Sequence, residues 1–248
     1  MPKFSILTPV HIWSEERLYG LNRAIKSVQS QTFSDYEHII VDDGSVLEFQ
    51  VPTDSRIRLF RIPHQERVVA VNHAYQHAAG DWICWLDSDD AYLQEYLEIL
   101  NEAIQQWPEY SVFNFGAIVV NSNYSVRLWD AFKPARAEVG HEIFGGGTIM
   151  AGTFIYRKEA TDTIGHFRDT CSPWDFSTEA QEEFPEIKPF FTVTNEDHPK
   201  GYPKELGNPW GQDFYMFYKL TRKYHSQVLN THLYINYRFP RNERLKWK

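Results

Sequence analysis

Cysteine is nearly absent from this 248-residue chain: there are two, Cys84 and Cys171. That excludes a disulfide framework and a cysteine-built zinc site, and it fits a reducing compartment. Cys84 lies inside an apolar run and reads as a small packed hydrophobe. An excess of positive charge is absent too. The formal charge is −8, from 33 acidic and 25 basic residues. A polyanion would be repelled, so nucleic acid is not the expected partner. No apolar run reaches the roughly 18 residues of a membrane span. The opening stretch Met1–Leu7 leads straight into a strand pattern and shows no secretory core. A cytoplasmic setting is therefore expected. Internal repeats and low-complexity tracts are also missing, and no linker divides the chain.

Aromatic residues, by contrast, are plentiful: 8 Trp, 14 Tyr and 17 Phe. Most will be core, and the remainder suits stacking on sugars or bases. A small basic-aromatic cluster closes the chain, with Arg238, Arg241, Arg244, Lys246, Trp247 and Lys248. It could touch anionic lipid, fold over a diphosphate, or simply be solvated.

One stretch organises the rest. Trp82-Ile83-Cys84-Trp85-Leu86 is apolar throughout and runs into Asp87-Ser88-Asp89-Asp90. A short continuous apolar run after Gly80 predicts a strand buried on both faces. Three carboxylates within four positions repel one another unless a cation neutralises them. A second acidic pair, Asp42-Asp43, follows another apolar run, Ile39–Val41. In a parallel sheet both clusters open on the same edge, the carboxyl edge where ligands bind. Ionised Asp accepts hydrogen bonds only, so it can take an imide N–H or ribose hydroxyls. It can also hold Mg²⁺ or Mn²⁺ beside a diphosphate. The plainer alternative is a solvated turn in which Asp89 or Asp90 caps a helix.

Along the chain, Phe4–Leu7 reads as a strand and Ser14 as a helix N-cap, with Leu18, Leu21, Ile25 and Val28 on one helix face. Strands are expected at 37–41 and 56–62. A helix carrying Val68, Val71, Tyr75 and Ala78 follows, with Gly80 as its C-cap. Another helix spans Leu93 to Trp107 and stops at Pro108. Strands are expected at 112–120 and, at an edge, 126–132. Residues 172–211 hold six prolines and little periodicity, which predicts a long functional loop. A helix after Asp213 and a strand, or pair of strands, at 228–237 complete the pattern. The alternation predicts an α/β fold with a mostly parallel sheet and helices on both faces.

In this order, several segments resemble the family 2 glycosyltransferases of the GT-A fold. They are Phe4–Val10, Ser27–Phe33, Ile39–Ser45, Val71–Ala74, Ala79–Ile83 and Leu86–Asp90, the last with its D-x-D motif. Gly152–Arg168 resembles the family's acceptor-side segment, and Trp210–Phe214 its late acidic motif. The resemblance covers nearly all of the chain apart from about 169–208. It implies a single GT-A domain over 1–248: a nucleotide-sugar-binding half to about 115, then an acceptor-binding half with the loop at 172–211.

The same resemblance implies roles. Thr8, Pro9 and Val10 line the nucleotide pocket, and Asp42 accepts from the base, most often uracil. Arg67 approaches the nucleotide or diphosphate. Asp87 and Ser88 belong to the donor site. Asp89 ligates Mn²⁺ or Mg²⁺ directly, with Asp87 facing both ribose and metal. Asp90 holds the loop, for instance by capping a helix at Tyr92. Asp213 is the general base, taking a proton from an acceptor hydroxyl in an inverting displacement. Read without the resemblance, Asp213 is a helix N-cap.

Two departures from the family pattern stand out. Gln212 replaces the usual Glu, and the histidine expected after Tyr237-Arg238 is missing from Phe239-Pro240-Arg241-Asn242. Water or phosphate fills that position, or Arg238 and Arg241 neutralise the diphosphate. His225 and His232 are nearby alternatives that read as packed residues.

The implied activity moves a sugar from a nucleotide-diphosphate sugar, UDP-linked by preference, to a carbohydrate or lipid-linked glycan acceptor in polysaccharide synthesis. The alternative from another class is a non-catalytic nucleotide-sugar-binding protein of the same fold. A sugar nucleotidyltransferase would need a glycine-rich phosphate loop that Ile12-Trp13-Ser14-Glu15 does not supply.

Overall fold

The computed structural model describes residues 1–65, 67–130, 150–164, 216, 220, 221 and 223–238. Among these, nine strands join in one sheet in the order Ile57–Ile62, Tyr36–Asp43, Phe4–Val10, Trp82–Trp85, Phe154–Arg157, Val112–Val120, Ser226–Tyr237 and Ala91–Tyr92, with Val126–Trp129 paired to Val112–Val120. The first half is built from β1 (Phe4–Val10), α1 (Glu15–Gln29), β2 (Tyr36–Asp43), β3 (Ile57–Ile62), α2 (Arg67–Gln76) and β4 (Trp82–Trp85). Strands β3, β2, β1 and β4 run parallel. Their shared register sets Val10 opposite Asp42, and Leu7 opposite Trp85. The ends of β1, β2 and β4 therefore lie along one carboxyl edge.

The alternation of side chains across each strand sorts the core into two faces. Phe4, Ile6, Trp82 and Cys84 pack with Ala24 and Val28 of α1. Leu7, Ile39, Val41, Ile83 and Trp85 pack with Val68, Val71 and Tyr75 of α2. All four residues of β4 are buried, as a strand covered by helices on both sides requires. Burial also drives the Cys84 thiol well above its ordinary pKa. Ser14 caps α1, its hydroxyl accepting from the Arg17 amide at 3.4 Å.

The second half contains β5 (Ala91–Tyr92), α3 (Tyr96–Gln106), β6 (Val112–Val120), β7 (Val126–Trp129), a 3-10 turn at Ala151–Thr153, β8 (Phe154–Arg157), α4 (Lys158–Ile164) and β9 (Ser226–Tyr237). Leu97 and Leu100 of α3 join the face of α1, and Ala160 of α4 joins the face of α2. Here the sheet becomes mixed. β8 is antiparallel to β4 and β6, and β5 to β9, while β9 runs parallel to β6. The parallel character is thus concentrated in the first half.

Two local expectations change and a third is narrowed. The helix over Val68 ends at Gln76, and Gly80 is not its cap; its amide donates to the Ser5 hydroxyl at 2.8 Å across the sheet. Residues Ala91 and Tyr92 form β5 instead of opening a helix. The last strand is one element of 12 residues, with register shifts against β6 on either side of Gly116. The loop at 172–211 lies outside the described residues.

Candidate active site

The two acidic clusters meet at the carboxyl edge, and different elements hold each carboxylate. After β2, Asp42 is buried. It accepts from the Ser45 amide at 2.9 Å and lies 3.4 Å from Nε of Arg61. This is an Asx-type turn, and Gly44 completes it with φ of 63°, where a side chain would be strained. Asp43 is also buried, accepting from the Gln65 amide at 2.8 Å and pairing with Nδ1 of His64 at 3.0 Å.

Thr8, Pro9 and Val10 are all buried on β1. The Thr8 hydroxyl meets Nε2 of His38 at 2.9 Å, and Val10 packs against Ile12 and Leu21. Burial lowers the His38 pKa to about 3, so this imidazole is neutral. The partly exposed side chains just beyond β1 are aromatic. His11 stacks on His64 with centroids 4.3 Å apart, and Trp13 lies 5.4 Å from His11.

The loop after β4 carries the second cluster. Asp87 is partly exposed, accepting from the Trp85 indole at 2.9 Å and lying 3.5 Å from Arg67 Nη1. The Arg67 guanidinium also sits 5.1 Å over the Trp85 ring, so Arg67 is beside the acidic loop. Ser88 is partly exposed between the carboxylates. Asp89 pairs with Arg17 at 2.5 Å. Burial raises its pKa, Arg17 opposes that shift, and the Asp87 charge adds to it.

Asp90 does hold the loop, but not by capping a helix. It is buried and accepts from the Tyr234 hydroxyl at 2.6 Å, the Tyr237 amide at 2.8 Å and the Asn236 amide at 3.0 Å. Burial raises its pKa well above the ordinary range, and the charges of Asp89 and Asp87 push it further. Tyr234 also accepts from the Asp87 amide at 3.3 Å, so β9 buttresses both ends of the loop.

Sequence reasoning missed Arg17, Arg23, His11, His64, Tyr234 and Asn236. A signal existed for two of them. Arg17, Gly20 and Arg23 recur at steps of three, which places them on one helix face. Asp213 and Arg241 lie outside the described residues. Arg238 follows β9, its amide donating to the Val120 carbonyl at 2.8 Å. His225 is exposed, and His232 pairs with Asp130 at 3.2 Å.

Chemically, the edge offers aromatic faces, two partly exposed carboxylates and two arginines within one loop's reach. That set can hold a base, ribose hydroxyls and a diphosphate. Among the described residues no three His, Cys, Asp or Glu side chains converge to hold a metal unaided. Asp87 and Asp89 nevertheless fit an oxygen-seeking dication, which takes one or two carboxylates and completes its shell with water and phosphates. A cation there would offset the repulsion between Asp87 and Asp89.

The sheet, the acidic loop at its carboxyl edge and the helices on both faces define a GT-A fold. Crystallised S. aureus TarS 1–349 in complex with UDP-GlcNAc has the same fold, with a TM-score of 0.63 at 16% identity over 96% of this chain and 59% of that one. Residues 10–165 match the family described as Glycosyl transferase family 2, and the chain belongs to that family.

The chain is 34% identical over 102 residues to an uncharacterized glycosyltransferase of Rickettsia conorii, covering 39% of this chain and 16% of the relative. It is 32% identical over 115 residues to the UDP-Glc:alpha-D-GlcNAc-diphosphoundecaprenol beta-1,3-glucosyltransferase WfgD of Escherichia coli, covering 41% of this chain and 44% of WfgD. It thus spans less than half of either relative's length. No described helix is long and apolar enough to cross a membrane.

Proposed function

We propose that this chain transfers a sugar from a nucleotide-diphosphate sugar, UDP-linked by preference, to a hydroxyl of a lipid-linked or other glycan acceptor, with inversion. The observation that carries the proposal is the meeting of Asp42 and Asp87–Asp90 at one carboxyl edge in a member of family 2. The UDP-GlcNAc bound by TarS supports the donor class, and the diphosphoundecaprenol acceptor in the name of WfgD supports a lipid-linked acceptor.

In this reading the base lies toward His11 and Asp42, and the diphosphate lies over the loop between Arg17 and Arg67. Asp87 and Asp89 would hold Mn²⁺ or Mg²⁺, which would supply positive charge to offset the negative charge developing on the leaving nucleoside diphosphate. Asp90 and Tyr234 fix the loop so that the two outer carboxylates keep their positions. Asp213 takes the acceptor's proton as the acceptor oxygen forms its bond to the anomeric carbon. The bond from that carbon to the diphosphate breaks, and its electron pair leaves with the nucleotide.

A panel of UDP-, GDP- and dTDP-sugars tests this through slow donor hydrolysis, read as released nucleoside diphosphate. Wild type should hydrolyse at least one UDP-sugar, and Asp213→Asn should lose about 10²–10⁴-fold, the range of one general base. Equal release by the variant would remove Asp213 from the chemistry. Absence of turnover and of nucleotide binding across the panel would overturn the function.

A further inference from the structure

We propose that Arg17 is the resident counter-cation of Asp89, and that a divalent metal must displace it to reach that carboxylate. This rests on the metal reading above and adds a competitor built into the protein. One face of α1 is shaped around Asp89. Arg17 contributes Nη1 to Asp89 Oδ2 at 2.5 Å, with side chains only 17% and 20% exposed. One turn on, Gly20 leaves room for the loop: a Cβ there would lie 3.2 Å from the Asp89 Cα. Arg23 follows, its Nη2 donating to the Asp89 carbonyl at 2.5 Å while its guanidinium lies 3.4 Å over the Tyr237 ring. Side chain, backbone and carbonyl of Asp89 are thus each met by residues three positions apart.

The guanidinium is also held in place from behind. It lies 4.6 Å over the Trp13 ring, and the Arg17 amide is fixed by the Ser14 cap. A cation stacked on indole and restrained at its backbone loses little further freedom on pairing. Among the described residues, the charged groups facing Asp89 are Arg17 and Arg23 from α1, and Asp87 and Asp90 from its own loop.

The pair with Arg17 occupies Oδ2 of Asp89, one of the two oxygens a metal could use. A metal alone must break this pair. A metal arriving with a diphosphate brings extra ligands that offset the loss, so metal and donor binding become coupled.

The test titrates Mn²⁺ alone, without nucleotide, into the full chain by calorimetry, for wild type, Arg17→Met and Arg17→Lys. Melting temperatures are read in chelator and in Mn²⁺. Arg17→Met should bind Mn²⁺ more tightly by about 5–150-fold, the usual range of site coupling. Its melting temperature should fall in chelator, where Asp89 is left unpaired, and recover in Mn²⁺. Arg17→Lys keeps the charge and should stay near wild type. If Arg17→Met does not fold, Arg17→Gln carries the same comparison. Equal, measurable affinities across the series overturn the competition and leave the metal reading standing. No Mn²⁺ binding by any form, with UDP still bound in chelator, overturns both.

Discussion

Asp90→Asn is the most informative perturbation of the loop. Asp90 is 1% exposed and faces three donors, from Tyr234, Tyr237 and Asn236. Those donors favour the carboxylate, whereas burial and the charges of Asp89 and Asp87 disfavour it and prevail. The folded protein therefore holds the Asp90 proton more tightly than the unfolded chain, whose aspartate titrates near 3.9. Between that value and the raised folded value, unfolding releases a proton. Stability attributable to Asp90 is greatest at low pH and falls as pH rises across this window, by up to about 1.4 kcal/mol per pH unit.

The asparagine variant cannot titrate, so it lacks this loss. Turning an amide toward donors adds a pH-independent cost on the order of 1–3 kcal/mol. Urea unfolding of both proteins at several pH values from 4 to 8 separates the two contributions. The difference, wild type minus variant, should decline with rising pH. A difference independent of pH, or one that grows with pH, would show that the donors outweigh burial and repulsion, and would refute the reasoning.

Two glycines supply further tests. Gly20→Ala gains up to about 1 kcal/mol of helix propensity, but its Cβ presses on Asp89 at 3.2 Å. Unfolding should show stability near wild type, while calorimetry should show weaker UDP binding in Mn²⁺. Gly152→Ala places a Cβ 1.9 Å from the Tyr234 ring, which has no room to retreat in the core. It should cost about 1–3 kcal/mol in urea unfolding, and the displaced ring should also weaken nucleotide binding through Asp90.

The parts legible in the sequence were those written in local pattern. The apolar runs of β1, β2 and β4, the Ser14 cap and the stripe of α1 each follow from neighbouring residues. Both acidic clusters could be placed at one edge because parallel strands share a direction. What pairs with each carboxylate was not legible. Arg17 reaches Asp89 across 72 positions, and Tyr234 reaches Asp90 across 144. No periodicity carries such pairings, which are set by how α1 and β9 pack on the sheet. The two-residue β5 escaped for a related reason. Ala91 and Tyr92 are strand only because β9 lies beside them, and by pattern alone they continue into α3.

The central claim is that the loop Asp87–Asp90 is a metal-assisted site for a nucleoside diphosphate. It is tested most directly by calorimetric titration of UDP in Mn²⁺ and in chelator, for wild type and Asp89→Ala. The account predicts tighter binding to wild type in Mn²⁺ than in chelator, and loss of that difference in Asp89→Ala. UDP affinity that is the same in all four titrations, or no UDP binding by the wild type, would contradict it.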